Sequence, residues 1–282
     1  MSDFTWHCRG RVLSPVPRPL VMGIVNVTPD SFSDGGSFFD SAKAVEHGLH
    51  LSEQGADILD VGGESTRPGA TPVGVEEELR RVLPVVAELA KRTSVPISID
   101  TMKAEVGERC LDAGACILND VSGFRDPAMV ALAARTGAGV VVMHMRGDPT
   151  TMQQNPEYAD VVREVDDFFA ERIATLSAAG VDAKTICLDP GIGFGKTLDH
   201  TRAQLKHLKR HTRHGRPVCL GVSRKGFLGQ ITGRPRSERA AGTLAVNCFA
   251  LATGSAHILR VHDVAGTVDA VRLWEHLHAG LE

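Results

Sequence analysis

The stretch DILDVGGESTRPGATPVGVEEELRRVLPVVAELAKRTSVPISID, Asp57 to Asp100, decides the fold. It opens on a short apolar run, Asp57 to Val61, and closes on another, Pro96 to Ile99. Between them Leu79, Val82, Leu83, Val86, Leu89 and Ala90 recur at helical spacing, which gives one apolar helix face. Pro84 lacks the N–H that a helix interior uses and predicts a kink or a late start there.

The unit repeats outward in both directions. Further apolar runs stand at Leu20 to Val25, Ala115 to Leu118, Gly139 to Met143, Thr185 to Leu188, Pro217 to Val222 and Ala256 to Val261. All are continuous, not alternating, as strands covered on both faces of a parallel sheet are. Amphipathic segments separate them; in one, Val165, Phe168, Phe169, Ile173 and Leu176 share a face. Gly55, Gly114, Gly137 and Gly180 stand where helices end, and left-handed C-caps favour glycine. This alternation over 282 residues predicts an α/β fold, a (β/α)8 TIM barrel. Residues 20–282 form its single domain, and residues 1–19 a short extension over the barrel's N-terminal end.

Lys and Arg number 31 against 34 Asp and Glu, with no basic run, so no nucleic-acid stripe or polybasic membrane patch is expected. No apolar run is long enough to span a bilayer, and the N-terminus lacks a basic region followed by an apolar one. The expected setting is cytoplasmic and the expected partner a small molecule. Cys8, Cys110, Cys116, Cys187, Cys219 and Cys248 form no CxxC pair and read as reduced, buried small hydrophobes. His207, His211 and His214 read as residues of polar helix faces, whereas His144 and His262 follow strands.

Barrel chemistry collects at the C-terminal ends of strands. There the sequence places Asn26, Asp60 with Glu64, Ser65, Thr66 and Arg67, Asp100, Asn119, His144 with Arg146, Asp189, Ser223 with Arg224 and Lys225, and Arg260 with His262. Asp100, Asn119 and Asp189 suit the N–H edge of a flat nitrogen heterocycle. Arg67, Lys225, Arg260 and His262 form a cationic set suited to phosphate. The ligand reads as a heterocycle carrying phosphate.

Two long loops, Val27 to Phe39 and Gly62 to Gly74, read as lids. The first holds Asp30, Phe32 and Asp34, the second Thr66 and Arg67. PGIGFGKT, Pro190 to Thr197, looks like a phosphate loop, but GxxxxGK[ST] needs Gly at Pro190 and GxGxxG needs Gly at Lys196. Its glycines read instead as places where backbone approaches a ligand plane, near Phe194. Lys225 fits two roles: a phosphate-facing cation, favoured by its place beyond the apolar run and beside Arg224, or a Schiff-base nucleophile.

MGIVNVTPDSFSDGG from Met22, DVGGESTRPGA from Asp60, PISIDTMKAEV from Pro96, ILNDVSG from Ile117, MHMRGDPTTMQ from Met143, LDPGIGFGKT from Leu188, GVSRKGFLG from Gly221 and RVHDV from Arg260 together resemble the dihydropteroate synthase family, block by block and in its order. The resemblance implies a transferase of folate biosynthesis that condenses 6-hydroxymethyl-7,8-dihydropterin diphosphate with 4-aminobenzoate, with Mg2+. By motif position it implies that Asp100, Asn119, Asp189 and Lys225 hold the pterin, with Met143, Gly221 and Phe194 around its ring. Thr66, Arg67, Asn26, Arg260 and His262 would hold the diphosphate, Asn26 also serving the metal. Phe32, Pro68, Lys225 and Ser223 would frame the aminobenzoate, where sulfonamides compete. Asp100, Lys225 and Arg67 would carry the chemistry. A catalytically silent pterin-binding paralogue and a pterin-dependent methyltransferase are the alternatives. Intact Asn26, Arg67, Lys225 and Arg260 argue against the first, and the phosphate set and the two long loops against the second.

The helix over Ala240 to Thr253, AAGTLAVNCFALAT, is apolar almost all round. Too short to cross a membrane, it calls for cover on its outer face, with Leu244 and Phe249 outward, either from another chain or from the N-terminal extension or the eighth barrel helix of the same chain. The resemblance implies that the cover is a second copy, in a homodimer.

Overall fold

A computed structural model describes residues 4–28, 37–66 and 69–278. An antiparallel hairpin, β1 (Trp6–Cys8) and β2 (Arg11–Leu13), precedes the main sheet. The eight strands of that sheet are β3 (Leu20–Asn26), β4 (Ile58–Gly62), β5 (Ile97–Asp100), β6 (Ile117–Asp120), β7 (Gly139–Met143), β8 (Ile186–Asp189), β9 (Cys219–Leu220) and β10 (Ile258–Val261). All neighbours are parallel, in the order β8-β7-β6-β5-β4-β3-β10-β9. A lone parallel bridge between Leu188 and Val218 joins the two ends, so the sheet closes as a (β/α)8 barrel.

The helices are α1 (Ser37–Glu53), α2 (Val75–Arg92), α3 (Ala104–Asp112), α4 (Pro127–Thr136), α5 (Val161–Ala178), α6 (Leu198–Lys206), α7 (Gly226–Thr232), α8 (Ala240–Thr253) and α9 (Val264–His278). Two of them, α7 and α8, follow β9. The chain takes positive φ at Gly55, Gly114, Gly137 and Gly180, as the helix-end reading requires. Pro84 does not delay or break its helix: α2 runs through it from Val75 to Arg92, with the proline on the exposed side. Buried Val82, Val85, Val86 and Leu89 hold α2 to the sheet around the missing bond. Ala90 is exposed, and the buried face instead contains Glu78.

Strand side chains alternate between two environments. On β8, Ile186 and Leu188 pack beneath the helices, while Cys187 joins an interior cluster with Met22, Ile58, Ile117, Val141, Cys219 and Ile258. Trp6 and Cys8 of the hairpin complete that cluster, fully buried. The Trp6 indole donates to the Thr185 carbonyl at 2.7 Å, and the Arg9 N–H to the Gly137 carbonyl at 2.8 Å. The hairpin thus plugs the N-terminal end of the barrel. Cys248 departs from the other five cysteines: it is exposed on α8. His211 also departs from expectation, since it is fully buried and faces Asp166 and Gln204.

Candidate active site

A period of two carries each interior side chain to the next layer up on the same strand. Ile58 is followed by Asp60, Ser98 by Asp100, Ile117 by Asn119, Val141 by Met143, Cys187 by Asp189, Cys219 by Gly221 and Ile258 by Arg260. Arg260 joins this layer into one network: its Nε donates to Asp60 at 2.6 Å, and a terminal nitrogen donates to Asp100 at 2.6 Å. The Asn119 amide donates to the same Asp60 oxygen at 3.0 Å. Burial drives the Asp100 carboxyl upward, against the pull of the Arg260 guanidinium. Asp189 is likewise raised by burial, opposed by Lys225. One Asp189 oxygen accepts the Gly191 N–H at 2.7 Å, and the other faces Gly221. A side chain at Gly221 would enter the space shared by Asp189, Lys225 and Arg260.

Above this layer opens a cavity of about 600 Å3, with Asn26, Thr66, Asp100, Phe194, Gly221, Ser223, Lys225, Arg260 and His262 on its wall. Asn119, Met143 and Asp189 are buried beside it and do not line it. Asp30, Phe32, Asp34, Arg67 and Pro68 lie outside the described residues. Lys225 stands at the start of α7, its ammonium 4.5 Å above the Phe194 ring and donating to the Ile192 carbonyl. Burial lowers its pKa to about 8, so it is largely an ammonium at neutral pH.

His262 corrects the expected cationic set. Burial first, then Arg260, lowers it to about 3, so it is a neutral imidazole. Its backbone N–H donates to Ser223 Oγ at 3.1 Å, and the same hydroxyl lies 2.9 Å from Nδ1. The hydroxyl accepts the backbone N–H and, with a second lone pair and its own proton, suits either tautomer of the ring at Nδ1. Arg146 is also turned away, paired with Glu164 at 2.8 Å and lying over Tyr158.

Two groups escaped the sequence reading. Lys103 ties Glu64 and Glu78 together at 2.6 Å each, and Glu64 also accepts the Val73 N–H at 2.8 Å. This network anchors both ends of the loop that carries Thr66. The signal was a glutamate at position 78 on the apolar face of α2. The second group is Lys196, which is only 4% exposed.

The chain matches the family described as pterin binding enzyme over residues 22–262, from β3 to just past β10. It is 49% identical over 257 residues to the dihydropteroate synthase of Escherichia coli K12, covering 91% of each chain. The chain belongs to the dihydropteroate synthase family. Among solved structures of that family, Xanthomonas albilineans dihydropteroate synthase with 4-aminobenzoic acid superposes with a TM-score of 0.92 at 48% identity, covering 99% of both chains. The same organism's enzyme in complex with 7,8-dihydropteroate gives a TM-score of 0.88 at 46% identity, covering 98% of this chain and 99% of that one. The buried polar layer and the cavity above it lie where this barrel family keeps its chemistry, at the C-terminal ends of the strands.

Proposed function

We infer that this chain condenses 6-hydroxymethyl-7,8-dihydropterin diphosphate with 4-aminobenzoate, giving 7,8-dihydropteroate and pyrophosphate. The observation that carries the reading is the interior layer itself. A buried carboxylate, an amide and an Asp–Arg network beside an open cavity suit a flat heterocycle with N–H donors at one end and a diphosphate at the other. Asp189, Asn119 and Lys225 hold the pterin, with Met143, Phe194 and Gly221 around its ring. Thr66, Arg67, Arg260 and His262 hold the diphosphate. Arg260 spends two of its five N–H donors on Asp60 and Asp100, which leaves donors for phosphate oxygens. Ser223, with Phe32 and Pro68, frames the aminobenzoate.

The C–O bond to the diphosphate breaks first, and the electron pair leaves with pyrophosphate. The arylamine nitrogen then bonds to the exocyclic carbon of the pterin cation and loses a proton. Asp100 stabilises that cation while Arg67 and Arg260 stabilise the leaving group. No nucleophilic residue is required. Asp100→Asn should therefore slow diphosphate cleavage more than it weakens binding, and single-turnover cleavage at the normal rate would remove Asp100 from the chemistry.

Among the described residues no group of three or more His, Cys, Asp or Glu is arranged to hold a metal. Asn26, on the cavity wall, would offer its amide oxygen to Mg2+, and the ion would neutralise charge on the leaving group. Formation of 7,8-dihydropteroate with an equal amount of pyrophosphate, when both substrates are supplied, is the test of the whole reading. Pyrophosphate release without that product in the presence of aminobenzoate, or no release at all, would reject it.

We also propose a homodimer through α8 and α9. Phe249 on α8 and Leu273 and Leu277 on α9 are 48%, 63% and 67% exposed, whereas Leu244 is half-buried. Two-fold pairing would cover these side chains. A light-scattering mass near 30.1 kDa rejects the dimer, and a dimer that survives Phe249→Glu with Leu273→Glu rejects these helices as its interface.

A further inference from the structure

The loop from Gly191 to Gly195 turns its carbonyls onto side-chain donors one after another. Lys196 takes Gly191 at 3.0 Å and Phe194 at 3.1 Å, Lys225 takes Ile192, Gln153 takes Gly193 at 2.6 Å, and Tyr158 takes Gly195 at 2.8 Å. Gly191, Gly193 and Gly195 all have positive φ, and a Cβ at Gly191 would collide with the His144 carbonyl. Lys196 also donates to His144 Nδ1 at 3.0 Å. His144 is neutral, lowered to about 2 by burial first and by Lys196 next, so it offers a lone pair there.

Lys196 thus sets its side-chain nitrogen among carbonyls and an imidazole, with no carboxylate in an ion pair with it among the described residues, and burial first, then Lys225, lowers it to about 7. Such a placement is costly unless every N–H is satisfied, which here it is. Its acceptors flank the one Lys225 uses. Phe194 serves both lysines: its carbonyl binds Lys196, and its ring lies under Lys225.

We propose that Lys196 is a positioning residue, whose buried side-chain nitrogen, bonded to the Gly191 and Phe194 carbonyls, fixes the Ile192 carbonyl and the Phe194 ring so that Lys225 is held over the cavity in its pterin-binding pose. The proposal rests on the reading of Lys225 given above. Lys196→Met keeps the length of the side chain and removes its donors, while Tyr158→Phe removes a different donor from the same loop. Calorimetry on each protein with a pterin analogue, and separately with inorganic pyrophosphate, gives the readout, with thermal melting alongside.

Lys196→Met should weaken the pterin analogue about tenfold or more, because one charged hydrogen bond at Lys225 is misplaced, while pyrophosphate affinity stays within about twofold. Tyr158→Phe should leave both affinities within about twofold, whatever it does to melting. Equal losses for the two ligands, or equal losses in the two variants, would mean that Lys196 only stabilises the loop, and would overturn the proposal. If Lys196→Met does not fold, Lys196→Gln replaces it; failure of both to fold makes Lys196 a folding determinant and also overturns it. Lys225→Met separates the two readings. If it leaves pterin affinity unchanged, the reading of Lys225 fails, whereas a loss there without one in the Lys196 variant removes only Lys196.

Discussion

The interior of this barrel holds two layers, two residues apart on the same strands, and they do opposite work. The lower layer, toward the N-terminal end, contains Met22, Ile58, Cys187, Cys219 and Ile258 under the Trp6 plug, and is apolar but for Ser98. The upper layer contains Asp60, Asp100, Asn119, Asp189 and Arg260 beside Met143 and Gly221, and is mostly polar. Backbone, twist and pairing are shared, so only side-chain identity separates packing from chemistry. A buried charged layer is expensive, and the apolar layer beneath it, with the helix-covered outer faces of the strands, is where the stability to hold it comes from.

Removing Arg260 should have the largest effect. Arg260→Met leaves Asp60 and Asp100 buried without their cation, and breaking a buried pair in this way costs about 3–5 kcal/mol, here toward the upper end because two carboxylates are stranded. Denaturant unfolding and turnover should both collapse. A loss below about 1 kcal/mol would show that the upper layer does not depend on the fork.

Trp6→Ala attacks the lower layer instead. Emptying a fully buried indole site costs about 3–5 kcal/mol. Unlike Arg260→Met, the variant should bind a pterin analogue with unchanged affinity at temperatures where it stays folded. Weakened binding at full folding would mean that the layers are coupled and that the contrast between them is false.

The strands were readable in the sequence because each is a continuous apolar run, and all eight begin and end within two residues of the expected limits. The one cut most is β9, expected over Pro217 to Val222 and found at Cys219–Leu220, where the chain leaves the ladder at Gly221 to turn through Arg224 at φ 56. Residue types at the strand ends were readable too, but their partners were not. Arg260 meets Asp60 and Asp100 across 200 and 160 residues, and only barrel closure brings them together. The role of Lys196 left no trace, since its acceptors are mostly backbone carbonyls, which every residue possesses.

Asp189→Ala tests the upper layer more gently. The only hydrogen bond to its carboxylate among the described residues is from the Gly191 N–H, so the fold should survive with a small shift in melting. The pterin would lose a charged acceptor, which contributes about 1.5–3 kcal/mol, or roughly one to two powers of ten in affinity. Unchanged affinity by calorimetry would remove Asp189 from the pterin site.

The smallest expected effect is a pH dependence in which the layers pull in opposite directions. Lys225, on the upper side, is lowered by burial from 10.5 to about 8, so its ammonium is present below about pH 8 and lost above it. Pterin-analogue affinity should fall as pH rises through about 8, by at most tenfold per unit, and this limb should vanish in Lys225→Met. Stability runs the other way for this group. Between about pH 8 and 10.5 the unfolded chain binds the proton that the folded chain has released, so the contribution of Lys225 to stability rises with pH. Cys187 and Cys219 of the lower layer are held well above 9 by burial and stay protonated when folded, so they lower stability above pH 9, where the unfolded thiols ionise. The raw stability curve mixes the two, but subtracting that of Lys225→Met isolates the lysine. A difference curve that is flat or falls between pH 8 and 10.5 would show that Lys225 is not a buried cation in the free protein.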